Sequence, residues 1–323
     1  MHMIQTLARP EVPQLPAYNA GLSSEAVRAR YGVSEIARLA SNENPYGASP
    51  AVARALADLA TRVGCYPDAN CSALRAAIGA RTGVAPAAIV IGNGSEDILQ
   101  MLCQAFLSAG ERVLTQRPAF GLHEIYPRMM GAQVELLALT PRLGFDVDAW
   151  CAALARGPKL AMLANPSNPV GCMFSAAEMQ QLLAATPAHT LLVMDEAYYE
   201  YARLAPGYPD VLALLRGRAM PWIVLRTFSK AWGLAGLRVG YGLASDAARL
   251  AALPGVRVAP SATNFLFLDL GRPNAPVNEA LLAQGLIVKP WKEAGFEHFI
   301  RVSIGTEAEN ERFARALEGI LAL

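Results

Sequence analysis

The chain has 323 residues, 53% of them hydrophobic and 17% charged, with 28 basic side chains against 27 acidic ones and a net charge of +1. That is apolar material for large cores and about two domains of ~100–200 residues each. The even balance leaves no basic surplus to neutralise a nucleic-acid backbone. Apolar runs such as Thr190–Met194 and Phe265–Leu268 are strand-length, far short of the ~20 residues of a membrane helix. The first ten residues have neither the charge order nor the apolar stretch of a secretory signal, so a cytoplasmic enzyme without nucleic-acid or membrane partners is expected. Cys65, Cys71, Cys103, Cys151 and Cys172 are odd in number and form no C-x-x-C pair. With four scattered histidines, all assigned to packing or surface, they suggest neither a disulfide framework nor a metal site.

In chain order, the stretch to about residue 50, rich in Pro, Gly, Asn and Ser, reads as an irregular arm. Helical patterns follow at Ala51–Val63 and Ser72–Thr82. Strands and helices then alternate. Ala88–Ile91, Arg112–Thr115, Gln133–Leu137, Lys159–Ala164, Thr190–Asp195, Trp222–Thr227 and Arg238–Leu243 are strand candidates. Ser95–Ser108 and Ser175–Thr186 are helix candidates, the latter opened by a Ser175/Glu178 capping box. Short apolar runs separated by helices predict an α/β fold with a mostly parallel seven-stranded sheet covered on both faces. After about Pro254 the character changes. Val256–Ala259, Asn264–Leu270, Leu286–Lys289 and Ile300–Ile304 read as strands, and one long helix starts behind a second capping box at Thr306/Glu309. The predicted organisation is an arm and a segment of the small domain over 1–50, a large cofactor-binding domain over 51–245 and a smaller α+β domain over 254–323.

In such a sheet, ligands sit beyond the carboxyl ends of the strands. One rim then collects Gly92–Glu96, Arg117–Phe120, Asn165–Pro169, Asp195–Tyr198 and Thr227–Lys230, with Arg238 at the start of the next strand. This is the inventory of a pyridoxal phosphate site. Lys230 is an amine to hold an aldehyde. Backbone N–H groups at Gly94-Ser95-Glu96, the hydroxyls of Thr227 and Ser229 and the guanidinium of Arg238 suit a phosphate. Asp195 can keep a pyridine nitrogen protonated so that the ring draws in electrons. Phe120 can stack on the ring, and Tyr198 and Asn168 can hydrogen-bond its phenolic oxygen.

The strings SNENPYG, YPD, GNGSED, NPSNPVG, DEAYYEY, RTFSKAWGLAGLRVGY and IRVSIGT, in this order, resemble the fold-type I pyridoxal-phosphate aminotransferases, and among them the histidinol-phosphate aminotransferases. The resemblance implies Lys230 as the cofactor-bearing lysine and, with Asp195 and Tyr198, the catalytic set. Ser95, Glu96, Ser229 and Arg238 would surround the cofactor phosphate, and Asn168 would join Tyr198 at the phenolic oxygen. It places Tyr66 at the cofactor phosphate of a neighbouring subunit, hence a homodimer with shared sites. Tyr18, Asn42, Lys289 and Arg301 fall at its substrate positions. The implied reaction moves an amino group between glutamate and the small phosphate-bearing substrate pair histidinol phosphate and imidazole-acetol phosphate.

The chain departs from that pattern twice. Lys289 stands where the family has arginine, giving a point charge instead of a two-pronged donor. Arg238 and Asn264 also stand too close in sequence, because the family has several tens of additional residues there, including a long helix. Either that element is lost, leaving Ser245–Leu253 in its place, or two ends that are not natively consecutive meet near Ala251. The second alternative predicts consecutive Cα atoms between residues 244 and 254 much farther apart than ~3.8 Å. Three readings follow from the resemblance and its departures: a histidinol-phosphate aminotransferase; a sibling acting on aromatic or other amino acids, or decarboxylating phosphothreonine; and a relative that only binds.

Overall fold

The structure is a computed structural model that describes residues 7–16, 21–245, 265–303 and 306–321. Strand β1 is Ala37–Arg38. Seven strands follow, β2 (Ile89–Gly92), β3 (Arg112–Arg117), β4 (Gln133–Ala138), β5 (Leu160–Ala164), β6 (Leu191–Asp195), β7 (Trp222–Thr227) and β8 (Gly240–Ala244). They form one sheet in the order β2-β8-β7-β6-β5-β3-β4. Only β8 runs antiparallel to its neighbours. The side chains of β6 and β7 alternate between two cores. Leu192, Met194 and Val224 enter one face with Trp150, Phe174 and Met179. Leu191, Val193, Ile223 and Leu225 enter the other with Ile98, Leu99 and Leu102. Because both faces are covered, the strands read as unbroken apolar runs.

A second, three-stranded sheet in the order β11-β12-β9 is built from β9 (Phe265–Asp269), β11 (Lys289–Pro290) and β12 (Phe299–Ser303). Strand β10 (Leu286–Ile287) pairs in parallel with β1, which ties the amino-terminal stretch to the carboxy-terminal one. Ala37, Leu39, Val277, Leu281, Ile300 and Val302 share the core beside this sheet.

The strand and helix positions differ from the expectations in instructive places. Residues 24–31 are helical, not irregular, with Ser23 as N-cap and Gly32 at the left-handed carboxyl end. Leu122–Met129 is helical and runs through Pro127, a residue type that reads as a helix breaker. Val147–Ala155 is a further helix, opened by the Asp146 cap. A helix at Asn274–Ala283 adds to the expected carboxy-terminal one, and Leu286–Lys289 is two short strands. Both capping boxes form, at Ser175/Glu178 and Thr306/Glu309. The Val256–Ala259 strand lies outside the described residues. So does nearly all of the 244–254 stretch in which a chain gap was expected.

Candidate active site

Register fixes the floor of the site. Ala164 pairs with Asp195, and Asp195 with Leu225, so β5, β6 and β7 end side by side. Their following loops bring Asn168, Asp195–Tyr198 and Thr227–Lys230 to one rim. A buried clasp holds these ends together. Arg226 Nε donates to Glu196 Oε2 at 2.8 Å, and the Tyr208 hydroxyl lies 2.9 Å from both Glu196 Oε1 and the Asn165 carbonyl. Glu196 and Arg226 are almost fully buried.

The second wall comes from the smaller sheet. Ile300 and Val302 point into its core, so the period of two turns Arg301 to the opposite side. Lys289 on β11 is its register partner. Arg301 is buried, where an alternating strand taken alone suggests a surface position. Its Nη1 donates to Asn168 Oδ1 at 2.9 Å, and its Nη2 donates to the Ala40 carbonyl. The third wall is Ala40, Ser41 and Asn42, the start of a segment that runs on to residue 48. The Asn42 N–H donates to Ser303 Oγ at 2.7 Å and its side-chain amide donates to the Tyr198 hydroxyl. Gly233 lets this segment pass close: its φ is +68°, and a Cβ there would run into the Gly47 carbonyl.

Together these walls enclose a cavity of about 510 Å³. Its lining includes Asn42, Ser95, Glu96, Phe120, Asn168, Asp195, Tyr198, Thr227, Ser229, Lys230, Arg238, Lys289 and Arg301. Two expected site residues are not among them. Tyr18 lies outside the described residues. Tyr66 is fully exposed and does not reach the cavity of its own chain.

Lys230 Nζ donates to the Ser41 carbonyl at 2.8 Å. Burial first, then the charge of Arg301, lower its pKa to about 7; Glu43 opposes this and Arg238 adds to it. Near neutral pH the amine is therefore about half unprotonated and nucleophilic. Asp195 is nearly buried, and its Oδ2 lies 3.0 Å from His123 Nε2. His123 is the site residue that sequence reasoning missed, having been set aside with the other histidines. The available signal was its position three residues after Phe120, at the start of the helix that follows β3. The contact leaves Asp195 Oδ1 buried and without a hydrogen-bond donor among the described residues. A buried acceptor without a donor is costly, and a protonated ring nitrogen would supply one.

At the phosphate end, Gly94 caps the helix Ser95–Phe106, so its first N–H groups face the cavity rim. A Cβ at Gly94 would strike the Arg238 guanidinium, so only glycine allows this approach. Thr227 and Ser229 share a hydroxyl contact of 3.1 Å. The Glu96 carboxylate turns away from any anion and accepts from the Tyr126 hydroxyl at 2.9 Å. Its contribution to a phosphate is thus its backbone N–H. The residues present fit a phosphorylated pyridine aldehyde at each of its three functional ends.

Across the cavity, Lys289 is lowered to about 8 by burial and by the charges of Arg301 and Lys292. Three cations gathered on one wall favour an anionic substrate group.

Comparison with known proteins places the chain. The model of the family described as aminotransferase class I and II matches residues 34–257 and 247–317. Histidinol-phosphate aminotransferase 3 of Rhizobium meliloti (strain 1021) is 41% identical, with 98% of each chain covered. Histidinol-phosphate aminotransferase 1 of Mesorhizobium japonicum is 39% identical over 99% of this chain and 100% of that one. The alignment with the first spans 362 positions, more than the 323 residues here, so that relative carries residues this chain lacks. The crystal structure of the Sinorhizobium meliloti histidinol-phosphate aminotransferase in complex with pyridoxal-5'-phosphate superposes with a TM-score of 0.83 at 25% identity, covering 97% of both chains. With the matched stretches spanning both sheets and every wall of the cavity, the chain belongs to the class I and II aminotransferase family.

Proposed function

We propose that this chain is a pyridoxal-phosphate-dependent aminotransferase that moves an amino group between glutamate and the histidinol phosphate/imidazole-acetol phosphate pair. The observation that carries the reading is the convergence of a neutral-prone amine, a buried carboxylate oxygen without a donor and a phosphate cradle on one cavity, faced by the cations of Lys289 and Arg301. The cofactor, when bound, supplies an electrophilic aldehyde and a ring that accepts electron density.

The chain's own residues do the rest. Asp195 would pair with the ring nitrogen, with His123 holding that carboxylate in place. Asn168 and Tyr198 would hydrogen-bond the ring oxygen, Phe120 would cover one face, and Ser95, the Glu96 N–H, Thr227, Ser229 and Arg238 would hold the phosphate. Lys230 Nζ would take and return the proton of the substrate α-carbon. Lys289, Arg301 and Tyr18 hold the substrate's own phosphate or, in the other half-reaction, the glutamate carboxylate.

The enzyme works as a homodimer in this reading. The helix Pro50–Leu59 has no buried residue, and Leu56, Leu59, Val63 and Tyr66 are exposed beside it, a surface that suits a second copy of the chain and brings Tyr66 to the partner's cavity. In this reading the chain divides into an arm and small-domain segment over 1–50, a large domain over 51–245 and a small domain over 254–323. All five cysteines are free thiols, which fits a cytoplasmic enzyme. A second reading, transfer from aromatic or other amino acids, draws on Lys289 in place of a bidentate arginine.

Glutamate formation from 2-oxoglutarate, with histidinol phosphate, phenylalanine and phosphothreonine as alternative partners, separates these readings. Histidinol phosphate is expected to give the highest kcat/KM. A higher value with phenylalanine, or release of carbon dioxide from phosphothreonine, contradicts the proposal.

A further inference from the structure

Part of the cavity is left unused by the transfer chemistry. Beyond Lys230 it opens between two walls. One is the end of β3 and the helix after it, with Arg117 and Glu124; the other is the loop after β11, with Lys292 and Glu293. Across this gap, Arg117 Nε lies 3.7 Å from Glu293 Oε2. The separation is too long for a hydrogen bond. Both atoms are shut off from solvent, and neither has a hydrogen-bond partner among the described residues. The pair is therefore held close enough to attract and too far apart to satisfy itself.

We propose that Glu293, beside Arg117 in the cavity wall, is the subsite for a ring N–H of the substrate, so that the enzyme selects phosphate-bearing amines with an N–H heteroaromatic ring over those with a phenyl group. This rests on the reading of a phosphate substrate given above. Lys289 and Arg301 take the phosphate on β11 and β12, and Glu293 lies four residues beyond Lys289 on the same wall. An imidazole keeps at least one N–H in either of its protonation states, so it can always donate to the Glu293 carboxyl where that side chain lines the cavity. A phenyl ring cannot, and would cover the carboxyl without giving it a donor. Burial raises the carboxyl to about 7; Arg117 and the Trp291 indole act against the rise and Glu124 adds to it. Glu293 thus remains an acceptor whether it is ionised or paired with its own proton.

The test compares histidinol phosphate with phenylalaninol phosphate, which keeps the phosphate and replaces the ring, in holoenzyme carrying Glu293→Leu. The preference for the imidazole substrate should fall about tenfold, the loss of one hydrogen bond of ~1.4 kcal/mol. Most of it should appear in KM, while the glutamate half-reaction stays within about twofold. Glu293→Ala reads the same loss if the leucine variant does not fold. An unchanged preference in both variants, or an equal fall for both substrates and glutamate, overturns the subsite. If the wild-type enzyme itself prefers phenylalaninol phosphate, the substrate reading falls and takes the subsite with it.

Discussion

The lowered pKa of Lys230 has a consequence that pH alone can expose. An ordinary lysine near 10.4 is neutral in about one molecule in 2,500 at pH 7, whereas an amine at about 7 is neutral in half. Capture of pyridoxal phosphate by the cofactor-free protein should therefore be roughly a thousandfold faster at pH 7 than by an exposed lysine. The rate should fall tenfold per pH unit below about 6.5 and level off above about 8. Arg301 is the second-largest cause of the shift, after burial, so Arg301→Leu should move the midpoint upward and slow capture at pH 7. Stability carries the same signature. The unfolded chain keeps this proton up to ~10.4 and the folded chain releases it near 7, so the folded state binds fewer protons in between. The stability contributed by this group then rises with pH from about 7, by at most ~1.4 kcal/mol per unit, and the gain is complete above ~10.4. Stopped-flow mixing with pyridoxal phosphate across pH 5.5–9, following the yellow absorbance that develops, measures the midpoint. A midpoint near 10, or one unmoved in Arg301→Leu, would refute the electrostatic argument.

Three further outcomes are expected. Arg226→Met leaves Glu196 as an unpaired buried charge beneath the three strand ends and should cost about 3–5 kcal/mol in denaturant unfolding; a loss below about 1 kcal/mol would show that the clasp is not needed. His123→Phe removes the group that orients Asp195 and should weaken retention of pyridoxal phosphate about tenfold to a hundredfold in equilibrium dialysis; unchanged retention would make the contact one of packing alone. Mixing inactive Lys230→Ala subunits with Tyr66→Ala subunits should restore up to about a quarter of wild-type activity, since half the dimers are hybrid and one of two cavities in each is intact; no recovery would contradict the shared site.

The large sheet was legible because its strands are buried on both faces and therefore read as short apolar blocks, each followed by a chemically loaded turn. Asp195, Lys230 and Asn168 could be placed at one rim from that rule alone. The smaller sheet was harder to read. Its strands β10 and β11 are two residues each and gain their order from partners distant in sequence, β1 among them, which no local pattern reveals. Arg301 illustrates the limit: alternation shows that it faces away from Ile300 and Val302, but only the fold shows that this side is the cavity. His123 and Glu293 were hard to read for a related reason. Each acquires its chemistry from one partner contributed by a different element, Asp195 and Arg117, across a gap that spacing along the chain does not encode.

The chain contains four lysines, Lys159, Lys230, Lys289 and Lys292, of which the last three line the cavity. Reduction of the pyridoxal-phosphate-loaded protein with borohydride, followed by peptide mass mapping, therefore discriminates among them directly. The pyridoxyl group is expected on Lys230 and on no other lysine. Its appearance on Lys289 or Lys292, or undiminished labelling in Lys230→Ala, would contradict Lys230 as the lysine that holds the aldehyde.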